Sequence, residues 1–179
     1  YLINIKRIPG LQGISSNQEN GIHIGALTKI RTLEKSPLLK DQCQPLWEAA
    51  GLLGSVQVRN LATIGGNLCH PAPSAEMAPP LRALDAQQKI ASRTGHRIVP
   101  LKDFFLGPGK TALNPFEILL EINLQPLSPG TGGTYYKLST RKAMDIAIVG
   151  VASVFTLEEG GCRSCRIGLG GVGRTPIRA

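Results

Sequence analysis

The segment Ala62-Thr63-Ile64-Gly65-Gly66-Asn67 has the residue types of an anion cradle. Two adjacent glycines let a backbone turn through positive φ, and with no Cβ in the way their N–H groups can approach a negatively charged oxygen. Thr63 and Asn67 add side-chain donors on either side. The stiff stretch Pro71-Ala72-Pro73-Ser74-Ala75-Glu76 follows, bringing a hydroxyl and then a carboxylate ten residues beyond Gly66. A carboxylate there accepts hydrogen bonds from ribose-type hydroxyls. Read locally, two interpretations stand side by side. One is a phosphate cradle. The other is an ordinary Gly-Gly turn between a strand and a helix, with Glu76 favourably placed in a first helical turn.

Other patterns that imitate active sites fail on context. Gly168-Leu169-Gly170-Gly171-Val172-Gly173 satisfies G-x-G-x-x-G, but Pro176 opposes the helix that must follow and too little chain remains for a βαβ unit. Gly109-Lys110-Thr111 resembles the end of a P-loop, yet the first glycine of that motif would fall at Phe104. Cys162 and Cys165 lie on an expected strand, where positions three apart point to opposite faces, and a zinc or iron–sulfur site needs two further ligands. His70 reads as the rim of the glycine site. No nucleophile with its base stands out.

The elements that must position these residues are short and mixed. Strands are expected at 1–5, 13–17 and 21–24, with Asn20-Gly21 as a hairpin turn. Thr28 caps a short helix to Glu34, and Ser36-Pro37 opens a helix to about Leu53, kinked at Pro45, with Leu38, Leu39, Leu46, Trp47 and Ala50 on one face. Ser74 caps a helix to Leu84. Strands at 89–92 and 96–99 flank Thr94-Gly95. Further strands are expected at 117–124, 134–138, 146–157 and 162–169, making the second half mainly antiparallel sheet.

Composition sets the outer bounds. A chain of 179 residues with 42% hydrophobic content builds a real core, and 21 glycines with 13 prolines favour an α and β mixture of short elements. The formal charge of +8 suits an anionic partner. The basic residues carry no interleaved aromatics to stack bases, so nucleic acid is not expected. Four cysteines in this length do not form a secreted disulfide framework, and no apolar run approaches a membrane span. The cytoplasm is the expected location. The chain begins without Met and stops on Thr175-Pro176-Ile177-Arg178-Ala179, so it reads as part of a longer polypeptide.

Val58-Arg59-Asn60-Leu61-Ala62-Thr63-Ile64-Gly65-Gly66-Asn67 followed by Ala72-Pro73-Ser74-Ala75-Glu76 resembles the FAD-binding medium subunit of molybdenum hydroxylases, such as the carbon monoxide dehydrogenase medium chain and the flavin domain of xanthine dehydrogenases. The resemblance continues through residues 1–11, 104–111, 117–120, 136–138, 141–147 and 169–179. It implies an α+β fold of the vanillyl-alcohol oxidase/PCMH type, with a small N-terminal αβ subdomain and a larger antiparallel sheet with flanking helices. Its implied divisions are 1–55, the remainder of the N-terminal FAD-binding subdomain; 56–160, the second FAD-binding subdomain; and 161–179, the last strand and the start of a C-terminal domain.

The same resemblance implies that Thr63, Ile64, Gly65, Gly66 and Asn67 contact the FAD pyrophosphate, and that Glu76 stands where the family usually has Asp. It implies that the Leu119 backbone and the Lys137 side chain lie near the flavin ring, where a cation stabilises negative charge on the reduced isoalloxazine. Without it, Leu119 reads as core and Lys137 as a solvent-facing strand residue. The implied activity is that of an oxidoreductase subunit. Electrons pass from a molybdenum-cofactor large subunit, through the clusters of a two-iron, two-sulfur small subunit, to FAD and on to NAD, a quinone or another acceptor. No catalytic residue and no metal ligand is assigned. The family's first flavin loop lies upstream of Tyr1, so this chain alone is expected to hold FAD weakly or not at all. The alternatives are a flavin-free structural fragment and a basic nucleic-acid-binding module.

Overall fold

A computed structural model describes residues 3–17, 19 and 21–179. In chain order, β1 (Ile14–Asn17) and β2 (Gly21–Gly25) form a hairpin, with Asn20 of its turn outside the described residues. Six short helices follow: α1 (Ile30–Glu34), α2 (Pro37–Gln42), α3 (Gln44–Leu52), α4 (Val56–Leu61), α5 (Ile64–Cys69) and α6 (Ala78–Ala83). Then come β3 (Gln87–Ser92), β4 (Gly95–Pro100), the one-turn α7 (Leu101–Phe104), β5 (Phe105–Gly107), β6 (Lys110–Thr111) and β7 (Ile118–Leu124). The chain ends on β8 (Thr131–Leu138), β9 (Val149–Glu158), β10 (Gly161–Gly170) and β11 (Ile177–Arg178).

All strand pairings are antiparallel. A five-stranded sheet has the order β1-β2-β7-β3-β4, and a four-stranded sheet the order β11-β10-β9-β8. This is an α+β fold. β9 shows why the second sheet packs on one side: Gly150, Ala152, Val154 and Thr156 are buried, while Val149, Val151, Ser153 and Phe155 between them are only partly so. Period-2 alternation places the first set against α3 and α6. Gly168 of β10 allows that approach, because a Cβ there would overlap the Pro79 carbonyl oxygen of α6. The glycines of 168–173 thus serve packing. The main core joins Ile24, Leu33, Leu46, Leu68, Leu81 and Phe104, all fully buried. No helix among the described residues is long and apolar enough to cross a membrane.

Several local expectations are corrected. Tyr1 and Leu2 lie outside the described residues, and Ile3 to Ile5 form no strand; the Asn4 side chain accepts the Lys6 N–H at 3.0 Å and bends the chain instead. Thr28 does not cap α1, because its hydroxyl both accepts from the Gly13 N–H and donates to the Gly13 carbonyl at 2.9 Å. The 37–52 stretch breaks at Cys43, whose φ of −150° is not helical, one residue before the turn that holds Pro45. Ser74 caps nothing, since Pro79 and Pro80 are tolerated only in a first turn and delay α6 to Ala78. Cys162 and Cys165 share one face, not two. A bulge between Cys162 and Ser164 sets Cys162 opposite Leu157 and Cys165 opposite Phe155.

Candidate functional site

The glycine motif is delivered by a short extended strap between α4 and α5. Its backbone is fastened along residues 26–30: Ile30 N donates to Ala62 O at 2.9 Å, Ile64 N to Thr28 O at 3.0 Å and Gly65 N to Ala26 O at 2.8 Å. Lys29 and Thr63 form an antiparallel bridge. Thr63 then caps α5, its hydroxyl accepting the Gly66 N–H at 3.0 Å.

This geometry corrects the expected conformation of the glycines. Neither Gly65 nor Gly66 has positive φ; both lie in the first turn of a helix. Their missing side chains serve different purposes. A Cβ on Gly65 would stand 2.6 Å from Ala26 O and 2.8 Å from Ala26 Cβ, so this glycine lets the helix lie against the strap's anchor. A Cβ on Gly66 would meet only the Thr63 hydroxyl, at 3.0 Å. The N–H groups are also less open than expected, since those of Ile64 and Gly65 point inward to carbonyls. The Gly66 N–H is exposed but donates to the Thr63 hydroxyl, so the Thr63 O–H is the donor this turn offers to solvent. Ile64 is fully buried and acts as core. His70 is exposed at the end of α5.

Thr63, Gly65 and Gly66 line an open cleft of about 240 Å³ together with Ala26, Leu27 and Leu119. Leu119 lies on β7 and is buried, so the cleft brings the glycine turn and Leu119 together. Its rim is fixed by Glu117, which takes a two-pronged ion pair from Arg97 at 2.8 and 2.7 Å and the Asn114 N–H at 2.8 Å. The Arg97 hydrogen bonds, then the Asn114 backbone, pull the Glu117 carboxyl down to about 2.

Glu76 and Lys137 meet each other. Lys137 Nζ donates to Glu76 Oε1 at 2.8 Å, to the Asp145 carbonyl at 2.6 Å and to the Leu52 carbonyl at 3.2 Å, with only 7% of its side chain exposed. The solvent-facing reading of Lys137 is therefore wrong. β8 turns Lys137 to the same side as buried Tyr135, towards α3. Tyr135 Oη is buried without a partner among the described residues, and burial, followed by the Glu76 charge, raises its phenol pKa. Asn67 Oδ1 accepts the Met77 N–H at 3.3 Å, tying α5 to the segment that carries Glu76. Beyond Lys137, the Asp145 carboxylate gathers Thr140 Oγ1, Arg141 N and Ile146 N within 2.6 to 3.0 Å. Those hydrogen bonds hold Asp145 well below the usual carboxylate range. No sequence signal marked Asp145 or Glu117 as organisers, because each acts through contacts with a folded loop.

Residues 1–126 match the family described as the FAD binding domain in molybdopterin dehydrogenase, and residues 134–179 match the CO dehydrogenase flavoprotein C-terminal domain. The xanthine dehydrogenase FAD-binding subunit of Escherichia coli O157:H7 is 34% identical over 179 residues, covering 99% of this chain and 61% of that protein. The 6-hydroxypseudooxynicotine dehydrogenase complex subunit alpha of Paenarthrobacter nicotinovorans is 38% identical over 178 residues, covering 99% and 60%. A solved carbon monoxide dehydrogenase from Hydrogenophaga pseudoflava superposes with a TM-score of 0.92 at 36% identity, covering 97% of this chain and 60% of that one. The chain thus spans about three-fifths of the length of these relatives. With the first of these matches covering residues 1–126, well over half of its length, the chain belongs to the family of FAD-binding domains of molybdopterin dehydrogenases.

Proposed function

We propose that this chain is the FAD-binding, electron-transfer part of a molybdenum-containing hydroxylase or dehydrogenase. The observation that carries the reading is the glycine-floored cleft. Gly66 presents no Cβ beside the Thr63 hydroxyl, whose oxygen accepts the Gly66 N–H and whose O–H is left to donate to a negatively charged oxygen. That fits one end of a dinucleotide pyrophosphate, and the apolar wall at Ala26, Leu27 and Leu119 fits a flat, uncharged portion of the same ligand.

Thr63, Gly66 and the side-chain amide of Asn67 would hold the pyrophosphate, while Ile64 and Gly65 build the turn beneath it. Leu119 would offer its backbone and apolar surface. Glu76 and Lys137 would sit together beside the ring, Lys137 supplying positive charge and Glu76 retaining an oxygen for a hydroxyl. When bound, the flavin supplies one- and two-electron redox chemistry, and the protein's share is binding, orientation and electrostatics. On this reading the partners are a molybdenum-cofactor large subunit and a two-iron, two-sulfur small subunit in the cytoplasm, with NAD, a quinone or another molecule as final acceptor.

An absorbance spectrum after FAD titration and gel filtration tests the reading. Flavin bands that co-elute with the protein, at up to one equivalent, support it. Protein that stays colourless at every FAD concentration, alone and when extended at its N-terminus to the length of its relatives, refutes it.

A further inference from the structure

The short helix α4 is built the wrong way round for a soluble protein. Its apolar side chains face water, with Val56 42%, Val58 47% and Leu61 73% exposed, and its single buried residue is Arg59. No apolar side chain of this helix is buried, and six residues are too few to be stable alone. Its orientation has to come from Arg59. The guanidinium donates to Glu34 Oε2 at 2.9 Å and Oε1 at 3.3 Å, and to the Leu53 and Gly54 carbonyls at 2.9 and 3.2 Å. Glu34 is in turn held by Arg31 at 2.7 Å. One planar fork therefore joins the end of α1 to the turn between α3 and α4.

For stability alone this arrangement is a poor choice, because replacing a buried ion pair with apolar side chains of similar volume is often neutral or favourable. What the fork supplies, and an apolar pair does not, is direction: four hydrogen bonds in a fixed plane. The chain leaving α4 reaches Thr63 within two residues of Leu61, and that strap is sewn to residues 26–30 immediately before α1. The fork and the strap bonds thus fasten the same two segments at opposite ends of α1. We propose that Arg59, acting through Glu34, is a positioning residue for the cofactor cradle, setting where the Thr63 hydroxyl and the turn it caps are presented.

The proposal rests on the FAD reading of the cleft, so its test includes a readout that needs no FAD. The paired replacement Glu34→Leu with Arg59→Met removes the fork without leaving a buried charge stranded, since Arg31, which also pairs with Glu34, is 29% exposed. Its thermal midpoint is expected to stay near that of the unchanged protein. Amide hydrogen exchange at Ile64, Gly65 and Asn67 is expected to accelerate at least tenfold, and the Kd for FAD to rise at least tenfold. Arg59→Lys, which keeps the charge but not the fork, should show the same two effects in weaker form. Unchanged exchange in the paired variant overturns the proposal, as does unchanged FAD affinity in a variant with faster exchange. If the unchanged protein, alone and extended to the length of its relatives, ignores FAD while exchange still accelerates, the flavin reading falls and the cradle role falls with it, leaving Arg59 only as the clamp on the strap.

Discussion

Gly65 and Gly66 are adjacent and chemically identical, yet alanine should do different things at each. At Gly65 the new Cβ meets a backbone oxygen at 2.6 Å and the Ala26 Cβ at 2.8 Å, neither of which can rotate away. Overpacking of this kind costs about 1–3 kcal/mol, and a rigid backbone neighbour argues for the upper half of that range. Alanine's better helix propensity returns at most about 1 kcal/mol. The net loss is then about 1–2 kcal/mol, or roughly 2–8 °C in thermal midpoint for a chain of this size. At Gly66 the new Cβ touches only the Thr63 hydroxyl at 3.0 Å, so Gly66→Ala should unfold at the same temperature or slightly higher. It does, however, occupy the space beside the Thr63 hydroxyl that the proposed cradle presents. Losing a hydrogen bond to a charged phosphate oxygen is worth about 1.5–3 kcal/mol, a 10- to 100-fold rise in Kd. Differential scanning fluorimetry and FAD titration of the two variants separate the roles. A Gly65→Ala protein as stable as the original, or a Gly66→Ala protein that binds FAD normally, would refute the division.

Other consequences follow from the same geometry. Lys137→Met strands the largely buried Glu76 carboxylate, and breaking a buried pair costs about 3–5 kcal/mol, so the thermal midpoint should drop by roughly 6–20 °C in calorimetry. Glu117, with its carboxyl depressed from the ordinary 4.5 to about 2, contributes stability that is complete above pH 4.5 and disappears as pH falls towards 2. Acid titration followed by circular dichroism should show that loss, and Arg97→Met should flatten it. Burial drives the Cys43 thiol up to about 12, whereas Cys162 and Cys165 are exposed. Iodoacetamide at pH 8 should therefore label Cys162 and Cys165 and spare Cys43 until the protein unfolds, as read by peptide mass spectrometry.

The sheets were legible because their signals are local. Thr94-Gly95 sits at the turn of β3 and β4, Glu158-Glu159-Gly160-Gly161 at that of β9 and β10, and β9 carries the β-branched Val149, Val151, Val154 and Thr156. The glycine motif was legible as chemistry but not as conformation. What makes Gly65 necessary is the Ala26 carbonyl, thirty-nine positions away in the chain, and no local pattern reports that approach. The bulge at Arg163 was hidden for a related reason: period-2 reasoning assumes an unbroken register, and one inserted residue reverses the face assignment for Cys162 relative to Cys165. Arg59 stood inside the quoted motif and had no role there, since its partners come from α1 and the turn after α3.

Lys137 shows how far a residue's family role and its folded surroundings can be reconciled. An ammonium has three N–H donors, and here all three are engaged, by Glu76, Asp145 and Leu52. A flavin that draws a hydrogen bond from Lys137 has to displace one of these acceptors. The 2.6 Å bond to the Asp145 carbonyl anchors the loop after β8, and the 2.8 Å bond to Glu76 is charge-assisted on both sides. The 3.2 Å bond to the Leu52 carbonyl is the longest and has neither property. Contact with the ring and retention of the Glu76 pair are thus compatible, at the expense of one bond to the end of α3, and on the proposed reading the positive charge would stay beside the cofactor in either arrangement.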